Sequence, residues 1–217
     1  LEAGGYRVKA DSADPSDIVI INTCGFIHDA KEESIDTIVR HAEAIRSEGR
    51  GKLFVMGCLV ERYRNELQNE LPEVDGWFGV NRPREIISQL GLAYRQELTG
   101  ERIMTGPSHY AYLKVSEGCD RTCAFCAIPD IRGRYISEPI EGLVEEARKL
   151  AERGVRELIL IAQDLTLYGL DLYGKQMLPE LVRRLTEIPD LGWIRLHYLY
   201  PSDFPREILE MMQDNPK

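Results

Sequence analysis

The sequence has no long apolar run and no excess of basic residues. No stretch approaches the ~20 apolar residues that a membrane-spanning helix needs, so no membrane association is expected. Acidic residues outnumber basic ones by 36 to 27, and the formal net charge is −9 at pH 7. That balance argues against a broad nucleic-acid-binding surface and is compatible with an acidic enzyme or with a basic protein partner.

Cysteine is scarce, with five residues in 217, and the number is odd. The spacing is not that of the even-numbered disulfide frameworks of small secreted domains, so a reducing cytoplasm is the expected compartment. A structural zinc site usually shows paired Cys-x-x-Cys motifs or a nearby His pair, and neither occurs beside these cysteines. The cysteines that are present therefore need another explanation.

Apolar runs and helical periodicity alternate along the first part of the chain. Continuous apolar runs at 17–24 and 52–58 are typical of strands buried on both faces of a parallel sheet, and a helical pattern follows each. A short helix beginning at Pro83 closes the pattern. We therefore predict a small parallel-sheet α/β domain over residues 1–92. The buried face of its first helix is expected to comprise Ile35, Ile38, Val39, Ala42 and Ile45.

The second part of the chain predicts a different α/β architecture. Residues 93–108 carry polar residues, Thr-Gly and Gly-Pro steps and no clean periodicity, so they are expected to form a linker. Three β-α units follow over residues 109–217, which predicts the first part of a β/α barrel (a partial TIM barrel). Such barrels place their chemistry on the loops after the strands. Both ends of the chain interrupt a pattern, so truncation at both ends is expected.

Three cysteines, Cys119, Cys123 and Cys126, follow the first predicted barrel strand at Cys-x-x-x-Cys-x-x-Cys spacing. Thiolates are suited to iron–sulfur clusters, and three of them on one loop can converge on one cluster. A four-iron cluster has four corners, so three cysteine ligands leave one iron open to a small molecule. The alternatives are three buried structural cysteines, a zinc-binding interaction module, and an electron-transfer protein without catalysis.

The other two cysteines, Cys24 and Cys58, each stand at the carboxyl end of a predicted buried strand. Parallel strands open on the same edge of a sheet, where ligands bind, so the pair could help to hold a second cluster. Taken alone, two strand-end cysteines are more often core residues, because free cysteine is among the most buried residue types. The cluster motif in the following domain favours the ligand interpretation.

The loop with Phe125 before its last cysteine resembles the cluster motif of radical S-adenosylmethionine (SAM) enzymes. The resemblance implies a 4Fe–4S cluster on Cys119, Cys123 and Cys126 that binds SAM and cleaves it to a 5′-deoxyadenosyl radical. It also implies that Phe125 lies near the adenine of SAM. Gln163, at the end of the second barrel strand, is a candidate for contacting the methionyl group of SAM, although a role in capping backbone fits the same position.

Three segments of the first domain, at 22–27, 30–34 and 56–59, resemble the amino-terminal domain of methylthiotransferases. Members of this family hold an auxiliary 4Fe–4S cluster on three cysteines. The resemblance implies that Cys24 and Cys58 are two of these ligands and that the third lies upstream of this chain. It further implies that the auxiliary cluster supplies a sulfur and that one SAM methylates this sulfur. The radical from a second SAM would then activate the substrate carbon.

Two branches of the family differ in substrate, which is either an adenosine of transfer RNA or the β-carbon of an aspartate in the twelfth small-subunit ribosomal protein. Segments 162–164, 168–173 and 195–201 resemble the ribosomal-protein branch, whereas the other has Gln-Asn-Val-Asn at 163–166. The resemblance therefore implies a ribosomal protein as substrate and a flavodoxin or ferredoxin as electron donor, and the acidic charge argues against nucleic-acid contact through this part of the chain. Glu138 departs from the family, which usually has Arg there.

Overall fold

The computed structural model describes residues 1–12, 14–49, 51–80, 82–93, 104 and 106–217. The chain forms two compact units, Leu1–Glu97 with Asp130–Arg132, and Leu98–Pro129 with Gly133–Lys217. Most of the linker expected at 93–108 lies outside the described residues. Within the described ranges, no helix is both long enough and apolar enough to cross a membrane.

The first unit is built on a three-stranded parallel sheet in the order β1-β2-β3. Its elements in chain order are β1 (Ile18–Thr23), α1 (His28–Glu48), β2 (Lys52–Gly57), α2 (Cys58–Glu70), β3 (Gly76–Phe78) and α3 (Pro83–Gln89). The expected alternation of strand and helix is confirmed. β3 was not predicted, because three residues are too few to show an apolar pattern.

Helix α1 packs on this sheet through Ile38 and Ala42, which are buried as expected. The expectation for Ile35 is wrong, because its side chain is 39% exposed. Ser34 takes the buried position instead, and its hydroxyl donates a hydrogen bond to the carbonyl oxygen of Ala30 at 2.7 Å. A satisfied hydroxyl can occupy a buried position at little cost, so apolar periodicity alone misplaced this part of the helix face.

The second unit contains a three-stranded parallel sheet and a short antiparallel ribbon. The parallel sheet has the order β4-β7-β8 and the ribbon pairs β5 with β6. The strands are β4 (Tyr110–Lys114), β5 (Ser116–Glu117), β6 (Ile136–Ser137), β7 (Glu157–Ile161) and β8 (Trp193–Leu196). The helices are α5 (Ile140–Glu152), α6 (Leu170–Tyr173), α7 (Leu178–Thr186) and α8 (Glu207–Asp214), and a further helix, α4 (Ile128–Arg132), begins in this unit and ends in Asp130–Arg132 of the first. The predicted β-α order of a partial barrel is confirmed.

Helices α5 and α7 bury their apolar faces against the parallel sheet of this unit. Ala147 and Leu181 pack in one core with Leu113, Leu158 and Leu160 of the strands, and all five are fully buried. Each fully buried leucine contributes roughly 1.5–3 kcal/mol of transfer free energy. This core fixes the three strands in parallel, so the loops that follow β4, β7 and β8 lie along one edge of the sheet.

Candidate functional site

The cysteine motif lies in the second unit, between β5 and α4. Cys119 is 8% exposed, and its N–H donates to the carbonyl oxygen of Gly133 at 3.1 Å. The N–H of Cys126 donates to the carbonyl oxygen of Cys123 at 3.1 Å, which folds the end of the motif back on itself. Cys123 is exposed and Cys126 is partly buried. The loop therefore has one buried thiol and two that remain accessible.

Gly118 allows the chain to enter this loop. Its φ is +75°, and a Cβ at this position would lie 2.1 Å from the carbonyl oxygen of Arg134. Only glycine adopts such a φ without cost and leaves room for a backbone oxygen so close. The position of Cys119 is therefore set by backbone packing directly beside it.

All three cysteines of the motif line one open cavity of ≈ 390 Å³. Among the described residues, no three His, Cys, Asp or Glu side chains are placed to hold a single metal ion together. A four-iron cluster binds each cysteine through a different iron atom, so it needs three thiols around a cavity rather than around one point. Three soft sulfur donors facing one cavity fit such a cluster.

The protonation of Cys119 is linked to metal binding. Burial raises the pKa of its thiol, the N–H of Arg121 (3.4 Å from the sulfur) acts to lower it, and the Asp164 carboxylate and the two other thiols of the motif raise it further. A thiol must lose its proton to bind iron, so any iron binding at Cys119 would release a proton and become weaker as the pH falls.

An ion-pair network that was not predicted from the sequence surrounds Arg121, which lies between the first two cysteines. Its Nε donates to Asp164 Oδ2 at 2.9 Å, its Nη2 to Thr166 Oγ1 at 3.2 Å and its Nη1 to Asp203 Oδ2 at 3.1 Å. The guanidinium also stacks over the ring of Tyr200, 4.4 Å from its centroid. The available signal was an arginine in the cysteine loop and an aspartate just after a neighbouring strand.

The structure places the two candidate SAM contacts at the same edge of the second unit. Phe125 lies in the cysteine loop and is 97% exposed. Gln163 is also exposed and lies in the bend that follows β7. Both side chains are accessible to a ligand in solution. Their contacts with the adenine and the methionyl group of SAM stay predictions.

In the first unit, strand register relates Cys24 to Cys58. Thr23, the last residue of β1, pairs with Gly57, the last residue of β2, and the two cysteines directly follow these residues. Cys58 is the first residue of α2 rather than the last of its strand. It is buried, whereas Cys24 is exposed. The register therefore brings the two cysteines to the same edge of the sheet, as expected for parallel strands.

Two glycines allow the cysteine-bearing segments of this unit to approach closely. A Cβ on Gly25 would lie 2.7 Å from the carbonyl carbon and oxygen of Cys58. A Cβ on Gly57, where φ is +109°, would lie 2.5 Å from the carbonyl oxygen of Thr23. Both contacts are far shorter than an ordinary van der Waals contact. The segments therefore meet backbone to backbone because side chains are absent there.

Two polar side chains hold the loop that carries Cys24. The N–H of Cys24 donates to Ser34 Oγ at 3.1 Å. Arg62 Nη1 donates to the carbonyl oxygen of Gly25 at 2.8 Å. These bonds satisfy backbone groups of a loop that has no ladder partners of its own. The thiol of Cys24 is thus exposed on a backbone that is fixed from two sides.

Comparisons with known proteins match a different family to each of the two cysteine-bearing parts of the chain. Residues 1–79 match the uncharacterized protein family UPF0004, and residues 113–216 match the Radical SAM superfamily. Relatives from Bacteroides fragilis, Flavobacterium johnsoniae and Cytophaga hutchinsonii are 54%, 52% and 48% identical over 99%, 100% and 99% of this chain. Each is named ribosomal protein uS12 methylthiotransferase RimO. The alignments cover 50%, 50% and 49% of those relatives, so this chain spans about half their length.

A solved structure shares the fold at low sequence identity. The radical SAM methyltransferase TsrM from Kitasatospora setae, whose structure has cobalamin and a [4Fe–4S] cluster bound, matches with a TM-score of 0.60 and 14% identity. The match covers 92% of this chain and 48% of that one. The family match at 113–216 and the cysteine motif within it thus define a radical SAM protein. Within that class, the chain belongs to the methylthiotransferase family.

Proposed function

We propose that this chain is part of a radical SAM methylthiotransferase that adds a methylthio group to the β-carbon of an aspartate in ribosomal protein uS12. One observation carries the proposal. Each of two separate parallel sheets has cysteines at its carboxyl edge, in a chain 54% identical over 99% of its length to a relative named for this activity. An unactivated C–H bond offers no acid–base route, which favours radical chemistry.

The first cysteine set, Cys119, Cys123 and Cys126, holds a 4Fe–4S cluster in this proposal. When bound, the cluster and SAM supply the radical that removes a hydrogen atom from the aspartate. The buried Cys119 anchors the cluster, and the two accessible cysteines close around it. Phe125 and Gln163, both exposed at this edge, contact the adenine and the methionyl group of SAM. The open cavity lined by the cysteines supports this assignment.

The second set, Cys24 and Cys58, helps to hold an auxiliary 4Fe–4S cluster, with a third cysteine from outside this chain. When bound, this cluster supplies the sulfur of the methylthio group. The strand register and the close approach at Gly25 support the pairing of these two ligands. The exposure of Cys24 suits a cluster that must meet other reactants.

The remaining assignments follow the same proposal. We assign residues 1–92 to a methylthiotransferase amino-terminal domain, 93–108 to a linker and 109–217 to a radical SAM domain. The family matches at 1–79 and 113–216 support these limits. A flavodoxin or ferredoxin supplies the electron, and the reaction takes place in the cytoplasm, where ribosomal protein and reducing conditions coincide.

Iron content of the anaerobically reconstituted full-length protein tests the proposal. We expect about eight irons per chain in the parent and about four in each of the variants Cys119→Ala and Cys24→Ala, because each variant loses one four-iron cluster. Stoichiometric zinc without iron would contradict the radical mechanism. The parent should then modify purified uS12 and leave transfer RNA unmodified. Modification of transfer RNA alone would assign the protein to the other branch.

A further inference from the structure

We propose that Arg121 is a positioning residue for the radical cluster, and that it fixes the cysteine loop to the loops after β7 and β8 while keeping a positive charge beside the cluster. This inference rests on the proposed 4Fe–4S site at Cys119, Cys123 and Cys126. Arg121 stands between the first two of these ligands, and its N–H lies 3.4 Å from the sulfur of Cys119. A shift of this residue would therefore change the hydrogen bonding of a ligand sulfur.

The first anchor of Arg121 is Asp164, just after β7. The side chain of Asp164 is only 3% exposed. Its Oδ1 accepts hydrogen bonds from the N–H and the hydroxyl of Thr166, at 2.9 and 2.6 Å. These bonds orient the carboxylate, and its Oδ2 accepts from Arg121 Nε. Since a buried carboxylate that loses its cationic partner is strongly unfavourable, the pair holds the cysteine loop against the end of β7.

The second anchor is the loop after β8. Arg121 Nη1 lies 3.1 Å from Asp203 Oδ2 and 3.3 Å from Ser202 Oγ. The backbone of Tyr198 and Asp203 has φ values of 65° and 63°, a left-handed conformation that is costly for bulky side chains such as tyrosine. Such a conformation persists only when surrounding contacts impose it. The guanidinium holds the side chains of Ser202 and Asp203 and stacks on the Tyr200 ring, so Arg121 contacts this loop at three residues.

The chemistry of arginine explains why this residue type suits the position. A guanidinium has five N–H donors in a rigid planar fork, so it can bind acceptors on two loops and stack on a ring at once. A lysine ammonium is a point charge and cannot keep these contacts together. Arg134 lines the same cavity but is 90% exposed, and its Nε lies 3.7 Å from Asp120. Of these two arginines, Arg121 is therefore the one built into the loop framework.

A fixed positive charge has a direct effect on an iron–sulfur cluster. The reduction potential depends on net charge and on hydrogen bonds to the sulfurs. Reduction adds an electron, so a nearby cation stabilises the reduced cluster. Loss of Arg121 removes that cation, which leaves the Asp164 carboxylate without its cationic partner, and it disturbs the N–H at the Cys119 sulfur. Both changes make the reduction potential more negative.

The test uses full-length protein with Cys24→Ala and Cys58→Ala, so that only the radical cluster is present. Arg121→Met, Arg121→Lys and the control Arg148→Met, at an exposed site on α5, are compared for iron content, loss of iron to a chelator and midpoint potential. In Arg121→Met we expect about tenfold faster loss of iron, equivalent to an activation free energy lower by about 1.4 kcal/mol. We also expect a more negative potential. Arg121→Lys should lose iron as fast as Arg121→Met but keep a potential closer to the parent.

Each of the other outcomes would overturn a stated part of the role of Arg121 or the proposed function. Equal behaviour of Arg121→Met and Arg148→Met in both measurements would overturn the role of Arg121. Faster iron loss in both Arg121 variants at an unchanged potential would overturn the electrostatic role. If Arg121→Met does not fold, Arg121→Gln, which is also uncharged, takes its place in both measurements. A parent that binds no iron removable by Cys119→Ala would overturn the proposed function itself, which separates that failure from a failure at Arg121.

Discussion

A methyl group added at Gly25 is expected to separate the two cysteines of the first unit. In Gly25→Ala the new Cβ would lie 2.7 Å from three backbone atoms, the carbonyl carbon and oxygen of Cys58 and the Cα of Leu59. That is about 0.7 Å closer than the shortest ordinary contact. Backbone atoms cannot rotate away as a side chain can, so the loop carrying Cys24 has to move from the start of α2.

The magnitude follows from the cost of overpacking. Inserting a methyl group into a closely packed site typically costs about 1–3 kcal/mol of folding free energy. Gly25 has no positive φ to add backbone strain, so the cost is steric. The same displacement pulls Cys24 away from Cys58, the two residues that we propose as auxiliary-cluster ligands. We therefore expect Gly25→Ala to lower the melting temperature and to reduce the iron of the reconstituted full-length protein from about eight to about four per chain.

Gly142→Ala is the matched control. A Cβ at Gly142 meets no atom within 4 Å, and the residue is exposed within helix α5. Replacing a helical glycine by alanine typically stabilises a protein by about 0.5–1 kcal/mol, so this variant should keep its iron and melt at a higher temperature. If Gly25→Ala retains all the iron of the parent, the close approach at Gly25 does not position the ligands and our interpretation of it is wrong.

Three further substitutions test the fold and the site. Leu160→Ala, in the fully buried core, should cost about 2–5 kcal/mol in denaturant unfolding, and a cost below 1 kcal/mol would contradict its burial. Ser34→Ala removes the acceptor for the Cys24 N–H and should speed auxiliary-cluster iron loss to a chelator, with radical-cluster iron as the internal control. Burial acts to raise the pKa of Asp171, but hydrogen bonds from Ser137 and from the backbone of Asp171 and Leu172 together outweigh it and lower the pKa from its ordinary value of 3.8. The free energy of unfolding that these hydrogen bonds contribute should therefore be present above pH 3.8 and be lost as the pH falls through the lower pKa that Asp171 has in the folded protein. Asp171→Asn should flatten the dependence of the unfolding free energy on pH in that range.

The elements that sequence could predict are those with a long apolar signal. The strands that became β1, β2, β4, β7 and β8 were expected, as was the partial barrel in the second unit, because each strand lies in a stretch rich in apolar residues. The strands β3, β5 and β6 and the helix α6 have two to four residues and show no periodicity of their own. Their positions come from tertiary pairing. Ile35 shows the same limit within a long helix, since the neighbouring Ser34, whose hydroxyl is hydrogen-bonded, takes the buried position.

The candidate site also has features that a local sequence pattern shows and features that only the folded chain brings together. The cysteine motif is a local pattern, so its residues could be found from sequence, and the partial barrel predicted the edge where they lie. The Arg121–Asp164 pair joins residues 43 positions apart, and nothing in either local sequence indicates that they meet. The close approach at Gly25 was hidden for a similar reason, because a glycine in a loop does not show which backbone it faces.

Both cysteine sets depend on the same physical arrangement, although they lie in different units. A glycine stands directly beside a cysteine in each: Gly118 before Cys119, and Gly57 before Cys58. Both glycines have positive φ and face a backbone oxygen that a side chain would strike. Hydrogen bonds to one side chain then hold each loop: Ser34 does so in the first unit and Arg121 in the second. Cysteine loops fixed in this way lose little conformational freedom when they bind a group, which favours cluster binding at both edges.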